Sequence, residues 1–216
     1  MCYWWAGNEP PFTYIESTGK RPSNWGKLNP DWTACGSGKL QSPIDVTRGE
    51  AVKINQEGNL KTYYKPTTAV LKNRVHDVML TWENQDAGKG NINGTVYKLI
   101  QCHWHSPSGH MFNGSKFDLE IHIVHSNPFL PKLLSHIHES AGEGEGGGRE
   151  LGTVNPGDLD MDISSEGYYR YIGSFTPPPW NLGVIWTILN KVKTVSGEEV
   201  ETLRDAVHDV SLNSLY

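Results

Sequence analysis

Cysteine is scarce in this 216-residue sequence, and the spacing of Cys2, Cys35 and Cys102 indicates no disulfide framework. No apolar run approaches the ~18 residues that a membrane-spanning helix needs, so we expect no membrane partner. Basic residues are not clustered and the formal net charge is −5, which argues against nucleic acid as a partner. The N-terminal segment MCYWWAGNEPPF has no basic stretch followed by an apolar one, so it gives no sign of a signal peptide, and the sequence predicts no compartment.

Short segments with β-strand patterns alternate with turn signals along much of the chain. Asn93-Gly94 predicts a hairpin turn, and aromatic or β-branched residues predict strands over 168–175 and 184–189. Ser196 and Glu199 form a capping-box pattern that predicts one short helix near the C-terminus. Many short strands and frequent turns favour a mainly β fold.

The length is that of one domain, so we predict a single domain over residues 1–216. An irregular N-terminal arm, rich in proline, glycine and tryptophan, occupies about residues 1–40. A Gly-rich loop covers residues 141–148. The sequence predicts no oligomeric state.

The stretch over residues 101–125, QCHWHSPSGHMFNGSKFDLEIHIVH, carries the densest functional signal. His103 and His105 are two positions apart, so in a strand both imidazoles lie on one face. Asn113-Gly114 is a hairpin signal, and the alternating residues after it predict an antiparallel strand over 117–124. That hairpin would bring His122 alongside the first two histidines.

Three neutral imidazoles without a fourth protein ligand are typical of a catalytic zinc site, in which the open position takes water. Gln101 and Glu120 each lie two positions before a candidate ligand, where they can accept an imidazole N–H and fix its tautomer. An isolated His-x-His is mostly chance, so the prediction depends on His122. A cupin-type metal site also begins with His-x-His but needs a carboxylate ligand a few residues on, and residues 106–110 contain none.

Several motifs, in the same order along the chain, resemble those of the alpha-class carbonic anhydrases, especially the plant members. Around the zinc-binding stretch 101–125 these motifs are Asn24-Trp25-Gly26, Cys35, QSPID at 41–45, NRVHD at 73–77, YIGSFTPPP at 171–179 and GVIW at 183–186. The resemblance implies a single domain built on a central twisted, mostly antiparallel sheet with a few short peripheral helices.

The resemblance also implies an activity, the reversible hydration of carbon dioxide to bicarbonate by zinc-bound hydroxide. Carbon dioxide and bicarbonate would be the small-molecule partners, and Zn²⁺ the cofactor. The implied roles are zinc ligation by His103, His105 and His122, proton transfer by His76, acceptance of the hydroxide's hydrogen bond by Thr176, and lining of the carbon dioxide pocket by Val124, Phe175 and Trp186.

Four departures from the family pattern bear on that activity. Gly109 replaces a glutamate that takes the proton of the threonine hydroxyl, and Pro177 follows that threonine where relatives often have another. Trp180 replaces the cysteine that, in exported relatives, pairs with the one matching Cys35, so that disulfide cannot form. The aliphatic core strand that follows the zinc-binding strand in relatives has no counterpart after His125.

Two functions therefore stay open on the sequence. One is a zinc lyase that hydrates carbon dioxide, with an activity lowered by these departures. The other is a catalytically impaired carbonic-anhydrase-like protein with a non-enzymatic role in binding or storage.

Overall fold

A computed structural model describes residues 12–49, 51–54, 60–74, 76–83, 86–126, 148–159 and 166–207. The predicted loss of a core strand after His125 concerns residues from 127 onward, which lie outside this description. The predicted Gly-rich loop also lies outside it, except for Gly148. Both stay predictions, as does the single domain over 1–216.

The described residues form ten strands and three short α-helices, and the predicted mainly β fold is confirmed. The strands are β1 (Val52–Ile54), β2 (Leu60–Tyr64), β3 (Thr67–Asn73), β4 (Val78–Trp82), β5 (Gly88–Ile92), β6 (Thr95–His105), β7 (Glu120–Ser126), β8 (Arg149–Val154), β9 (Tyr168–Ser174) and β10 (Leu182–Leu189). The helices are α1 (Trp25–Leu28), α2 (Ala34–Ser37) and α3 (Gly197–Ala206).

The strands form two sheets in which every strand pair is antiparallel. β1, β9 and β10 form a three-stranded sheet, and the other strands form a seven-stranded sheet. The longest strand, β6, pairs with β4, β5 and β7, and both predicted hairpins, β5–β6 and β6–β7, are present. Among the described residues β6 is the only sheet partner of β7. His103 and His105 thus lie on a strand that is paired on both edges, and His122 lies on the neighbouring strand β7.

β7 differs from its prediction at the start and on its apolar face. It begins at Glu120 instead of residue 117. Ile123 packs against the main core cluster, whereas Ile121, on the same face, is 45% exposed. Periodicity predicts which side chains share a face, but only the neighbouring elements decide how much of that face is covered.

The N-terminal arm is irregular, with α1, α2 and two single 3-10 turns at Pro22–Asn24 and Pro30–Trp32. Aromatic rings hold it together: Phe12 lies edge to face with Trp25 at 5.4 Å and with Trp32 at 6.2 Å. Trp25 is buried and its indole N–H donates to the Lys20 carbonyl. The described part of the arm is therefore irregular, as predicted, and is packed by its aromatic residues.

The described core has two clusters of buried residues, and the smaller one joins the large sheet to α3. A cluster of Ala69, Leu80, Trp82, Ala87, Leu99 and Cys102 fills the sheet interior. Leu203 and Val207, one helical turn apart, pack on Val78 of β4. Ser196 caps α3 in a complete capping box with Glu199, as predicted. No described helix is long and apolar enough to span a membrane.

Candidate metal centre

The register between β6 and β7 places the predicted site residues opposite one another on one face. His103 pairs with His122, and the neighbouring pairs on that face are His105 with Glu120 and Gln101 with Val124. The ring centroids of His103 and His122 are 4.6 Å apart, those of His105 and His122 5.1 Å, and those of His103 and His105 6.5 Å. The three imidazoles that the sequence singled out therefore form one cluster.

Each imidazole has one ring nitrogen engaged by an oxygen acceptor. The Nδ1–H of His103 donates to Gln101 Oε1 at 3.0 Å, and that of His105 donates to the Pro107 carbonyl at 2.9 Å. In His122 it is Nε2 that bonds, to Glu120 Oε1 at 2.8 Å. With oxygen acceptors on these atoms, the lone pairs stay on Nε2 of His103, Nε2 of His105 and Nδ1 of His122.

Glu120 is held by four donors and orients the ring of His122. Its Oε2 accepts the backbone N–H groups of Gly109 at 2.7 Å and His110 at 3.0 Å, and its Oε1 accepts from the rings of His122 and His110. Burial alone raises the pKa of this carboxyl, but the hydrogen bonds from His110 and His122 outweigh burial and hold the pKa well below its usual value. Glu120 is therefore an anion whose lone pairs are in use.

His110 belongs to the site although the sequence gave it no role. Its Nδ1 lies 2.6 Å from Glu120 Oε1, and its Nε2 lies 2.6 Å from the Tyr171 hydroxyl on β9. The Tyr171 hydroxyl in turn lies 2.9 Å from Ser42 Oγ. No local spacing links these residues, because they come from a turn, a strand of the other sheet and the end of the arm.

The surroundings of His103 and His105 favour the neutral form of both rings. Burial, together with smaller effects of the nearby His122 and Arg74, lowers the pKa of His103 to about 2. Burial, followed by the charge of His122, also lowers the pKa of His105. Both rings are therefore neutral at pH 7, which is the form that binds a metal ion.

The donor set fits zinc, which favours imidazole nitrogen and a tetrahedral site with one open position. By distance alone, His105, Glu120 and His122 offer ligand atoms that all lie within 4.8 Å of one another. Glu120 is the less suitable member of this group, because its oxygens already accept four hydrogen bonds. His103 is not in that group, but its ring lies beside that of His122, and Gln101 leaves its Nε2 lone pair available.

His76 lies in the turn between β3 and β4. Its ring stacks on Phe12 of the arm, with centroids 4.6 Å apart and an interplanar angle of 23°, and it meets Tyr14 edge on. The ring of His76 thus packs against aromatic residues of the arm.

Thr176 and Phe175 lie on the segment between β9 and β10. The Phe175 side chain is 49% exposed, and its backbone N–H donates to the Asn181 carbonyl at 2.9 Å. Trp186 on β10 reaches the cluster, with its ring 5.1 Å from that of His122 and 4.7 Å from that of His110. Of the predicted pocket residues, Trp186 and Val124 lie beside the histidines.

The structure shows the surroundings of the residues that depart from the family pattern. Gly109 offers Thr176 no side-chain acceptor, and its backbone N–H is used by Glu120. Trp180 is buried between the rings of Trp25 and Trp32. Cys35 and Cys102 are both free thiols.

Comparison with known proteins identifies the family. The model of eukaryotic-type carbonic anhydrases matches residues 20–143 and 126–214. Alpha carbonic anhydrase 4 of Arabidopsis thaliana is 43% identical over 220 residues, which cover 94% of this chain and 79% of that protein. Alpha carbonic anhydrase 6 of the same plant is 44% identical over 204 residues, covering 86% of this chain and 75% of that protein.

A crystal structure of dioscorin complexed with ascorbate superposes with a TM-score of 0.74 at 37% identity, over 92% of this chain and 89% of the other. The curled antiparallel sheet, the order of the motifs and the near-complete coverage by these relatives agree with one another. The chain therefore belongs to the alpha-class, eukaryotic-type carbonic anhydrase family.

Proposed function

We propose that this protein binds zinc through His103, His105 and His122 and catalyses the reversible hydration of carbon dioxide to bicarbonate. The observation that carries the proposal is the cluster of three imidazoles on one sheet face, each with one nitrogen held by an oxygen acceptor. Membership of the carbonic anhydrase family supports the same substrate.

The residues around the cluster would prepare it for the ion. Gln101, the Pro107 carbonyl and Glu120 fix the three tautomers, so that each lone pair is available before the ion arrives. The anionic Glu120 also makes the His122 ring more electron-rich and so a better donor. Zinc at such a site lowers the pKa of water to ~7, and carbonic anhydrase is itself the standard example of that effect.

The remaining predicted residues would handle substrate and proton. Val124 and Trp186 would offer carbon dioxide an apolar wall beside the histidines, and Phe175 would add to that wall. Thr176 would accept a hydrogen bond from water at the site and so orient it. His76 would take up the released proton and pass it to solvent, because one ring nitrogen of a neutral imidazole can accept a proton that the ring later releases.

The test separates metal binding from turnover. Purified protein is analysed for zinc, and carbon dioxide hydration is followed by stopped flow with and without a sulfonamide. We expect one zinc per chain and a hydration rate that the sulfonamide abolishes.

Two glutamine variants on β7 give a matched comparison. His122→Gln removes a proposed ligand and should lose both zinc and turnover, whereas His125→Gln removes an imidazole from the same strand outside the cluster and should keep both. Equal zinc content in the two variants would contradict the ligand assignment.

A second candidate is a non-enzymatic member of the family with a binding or storage role. Gly109 favours this alternative, because Thr176 then has no carboxylate to take its proton. Loss of one such polar contact raises the activation free energy by about 2–4 kcal/mol. The similarity to dioscorin is compatible with it. Stoichiometric zinc without inhibitable turnover would decide for this alternative.

A further inference from the structure

The segment that carries Thr176 has a single buried side chain. Residues 175–181 form a loop closed by two backbone hydrogen bonds, from Phe175 N–H to the Asn181 carbonyl at 2.9 Å and from Trp180 N–H to the Pro177 carbonyl at 3.1 Å. Trp180 is 2% exposed, whereas the other side chains of the loop are exposed or half-buried. The hydrophobic contribution to fixing this loop is therefore concentrated in one indole.

The Trp180 indole is enclosed by the N-terminal arm. It stacks on Trp25 with centroids 5.4 Å apart and an interplanar angle of 29°, and it meets Trp32 edge to face at 5.6 Å. These three residues are called the tryptophan cluster below. Trp25 is itself fixed by its hydrogen bond to the Lys20 carbonyl and by the edge of Phe12. The loop is thus held by a preformed aromatic surface.

The backbone conformation of Trp180 is unfavourable, and the packing of its side chain has to compensate for it. Its φ is +57°, in the left-handed region, which a bulky side chain disfavours. Such a conformation persists where the surrounding contacts determine it. In this loop, the contacts of the Trp180 indole with Trp25 and Trp32 hold the backbone in that conformation.

We propose that Trp180 is a positioning residue for Thr176. The tryptophan cluster fixes the loop to the arm and thereby sets where the Thr176 hydroxyl lies. Gly109 has no side chain that could help to hold that hydroxyl. The anchoring depends only on packing, whereas its effect on turnover rests on the proposed function.

The test compares Trp180→Ala and Trp180→Phe with Trp82→Phe. Trp82 is a matched control because it is equally enclosed, at 5% exposure, but lies in β4 and donates to the Val154 carbonyl far from the loop. Amide hydrogen exchange of the zinc-free chain is read by mass spectrometry for the peptide over residues 175–182 and for one from β6. Zinc content, kcat and KM are measured on the zinc-loaded protein.

Trp180→Ala should speed exchange in the loop peptide about tenfold and leave the β6 peptide unchanged, because the loop opens without the sheet. Its kcat should fall about tenfold with zinc content and KM retained, since a displaced Thr176 misorients the reacting water. Trp180→Phe should show a smaller rise in loop exchange, and Trp82→Phe none.

Unchanged loop exchange in Trp180→Ala would overturn the proposal, as would faster exchange with a wild-type kcat. If Trp180→Ala does not fold, Trp180→Phe decides, and loop exchange equal to that of Trp82→Phe then overturns it. A wild-type protein without hydration activity would refute the proposed function, while the exchange data would still decide whether the tryptophan cluster anchors the loop.

Discussion

At the scale of single residues, Gly109 is the position on which the role proposed for Thr176 depends most directly. It lies in the turn after β6, where its backbone N–H bonds to Glu120. A Cβ atom at this position would lie 3.2 Å from Pro43 Cγ and 3.6 Å from Glu120 Oε2. The first contact is tight, so Pro43 must move by a few tenths of an ångström before a longer side chain can enter.

Replacing Gly109 with glutamate should therefore raise turnover. Gly109→Glu supplies a carboxylate that can take the Thr176 proton. We expect kcat for carbon dioxide hydration to rise at least about tenfold, towards the ~10²–10³-fold change in rate that one oriented polar contact provides. Gly109→Met has a similar length without the acceptor and should not raise kcat. Stopped-flow rates decide, and a rise of equal size in both variants would mean that Thr176 is not the cause.

At the scale of elements, α3 shows how a sequence signal and a packing contact combine. Ser196 Oγ accepts the Glu199 N–H while the Glu199 carboxylate accepts the Ser196 N–H, so the helix start is fixed locally. Leu203 then covers Val78 of β4, and Arg204 reaches Ser106 Oγ at 2.9 Å. The helix thus closes over the sheet beside the turn that follows His105.

Truncation of the buried contact should weaken the fold more than truncation of an exposed one. Leu203→Ala should lower the free energy of unfolding by about 2–4 kcal/mol, because it leaves a cavity against Val78. Glu201→Ala, on the exposed face of the same helix, should change it by less than about 0.5 kcal/mol. Urea unfolding measures both, and similar values would show that α3 does not pack as described.

At the scale of the whole molecule, stability should depend on pH through His125, a half-buried histidine outside the candidate metal cluster. His125 on β7 stacks on Tyr64 of β2, and its Nε2 lies 3.1 Å from the Tyr64 hydroxyl. Burial lowers the pKa of His125 from 6.5 to about 4. Gly90 leaves room for the ring, since a Cβ atom there would already lie 3.5 Å from it.

The sign of the effect follows from that depressed pKa. Above pH 6.5 the ring is neutral in both the folded and the unfolded chain, so stability is complete. Between pH 6.5 and 4 the unfolded chain binds a proton at this ring and the folded chain does not. The free energy of unfolding therefore falls by up to about 3 kcal/mol as the pH is lowered.

We expect His125→Gln to flatten this pH dependence. Denaturant unfolding of zinc-free wild type and variant from pH 4 to 7 should give curves that converge as the pH falls. The buried His103 and His105 contribute equally to both proteins, so the difference reports His125 alone. Parallel curves would contradict the assignment.

The sequence alone determined the local features of this protein. Alternation and Asn-Gly turns predicted β6, β7 and their hairpin, and hence the shared face of His103, His105 and His122, because strand periodicity acts over neighbouring residues. The same holds for the helix start at Ser196.

Only the tertiary structure decided which distant residues meet. His110 and Tyr171 are 61 positions apart, and their hydrogen bond exists because the two sheets bring a turn and β9 together. The burial of Trp180 by the arm and the stacking of His76 on Phe12 have the same origin. Such contacts depend on how elements pack, and no local pattern carries that information because burial and register are set by the partners of each element.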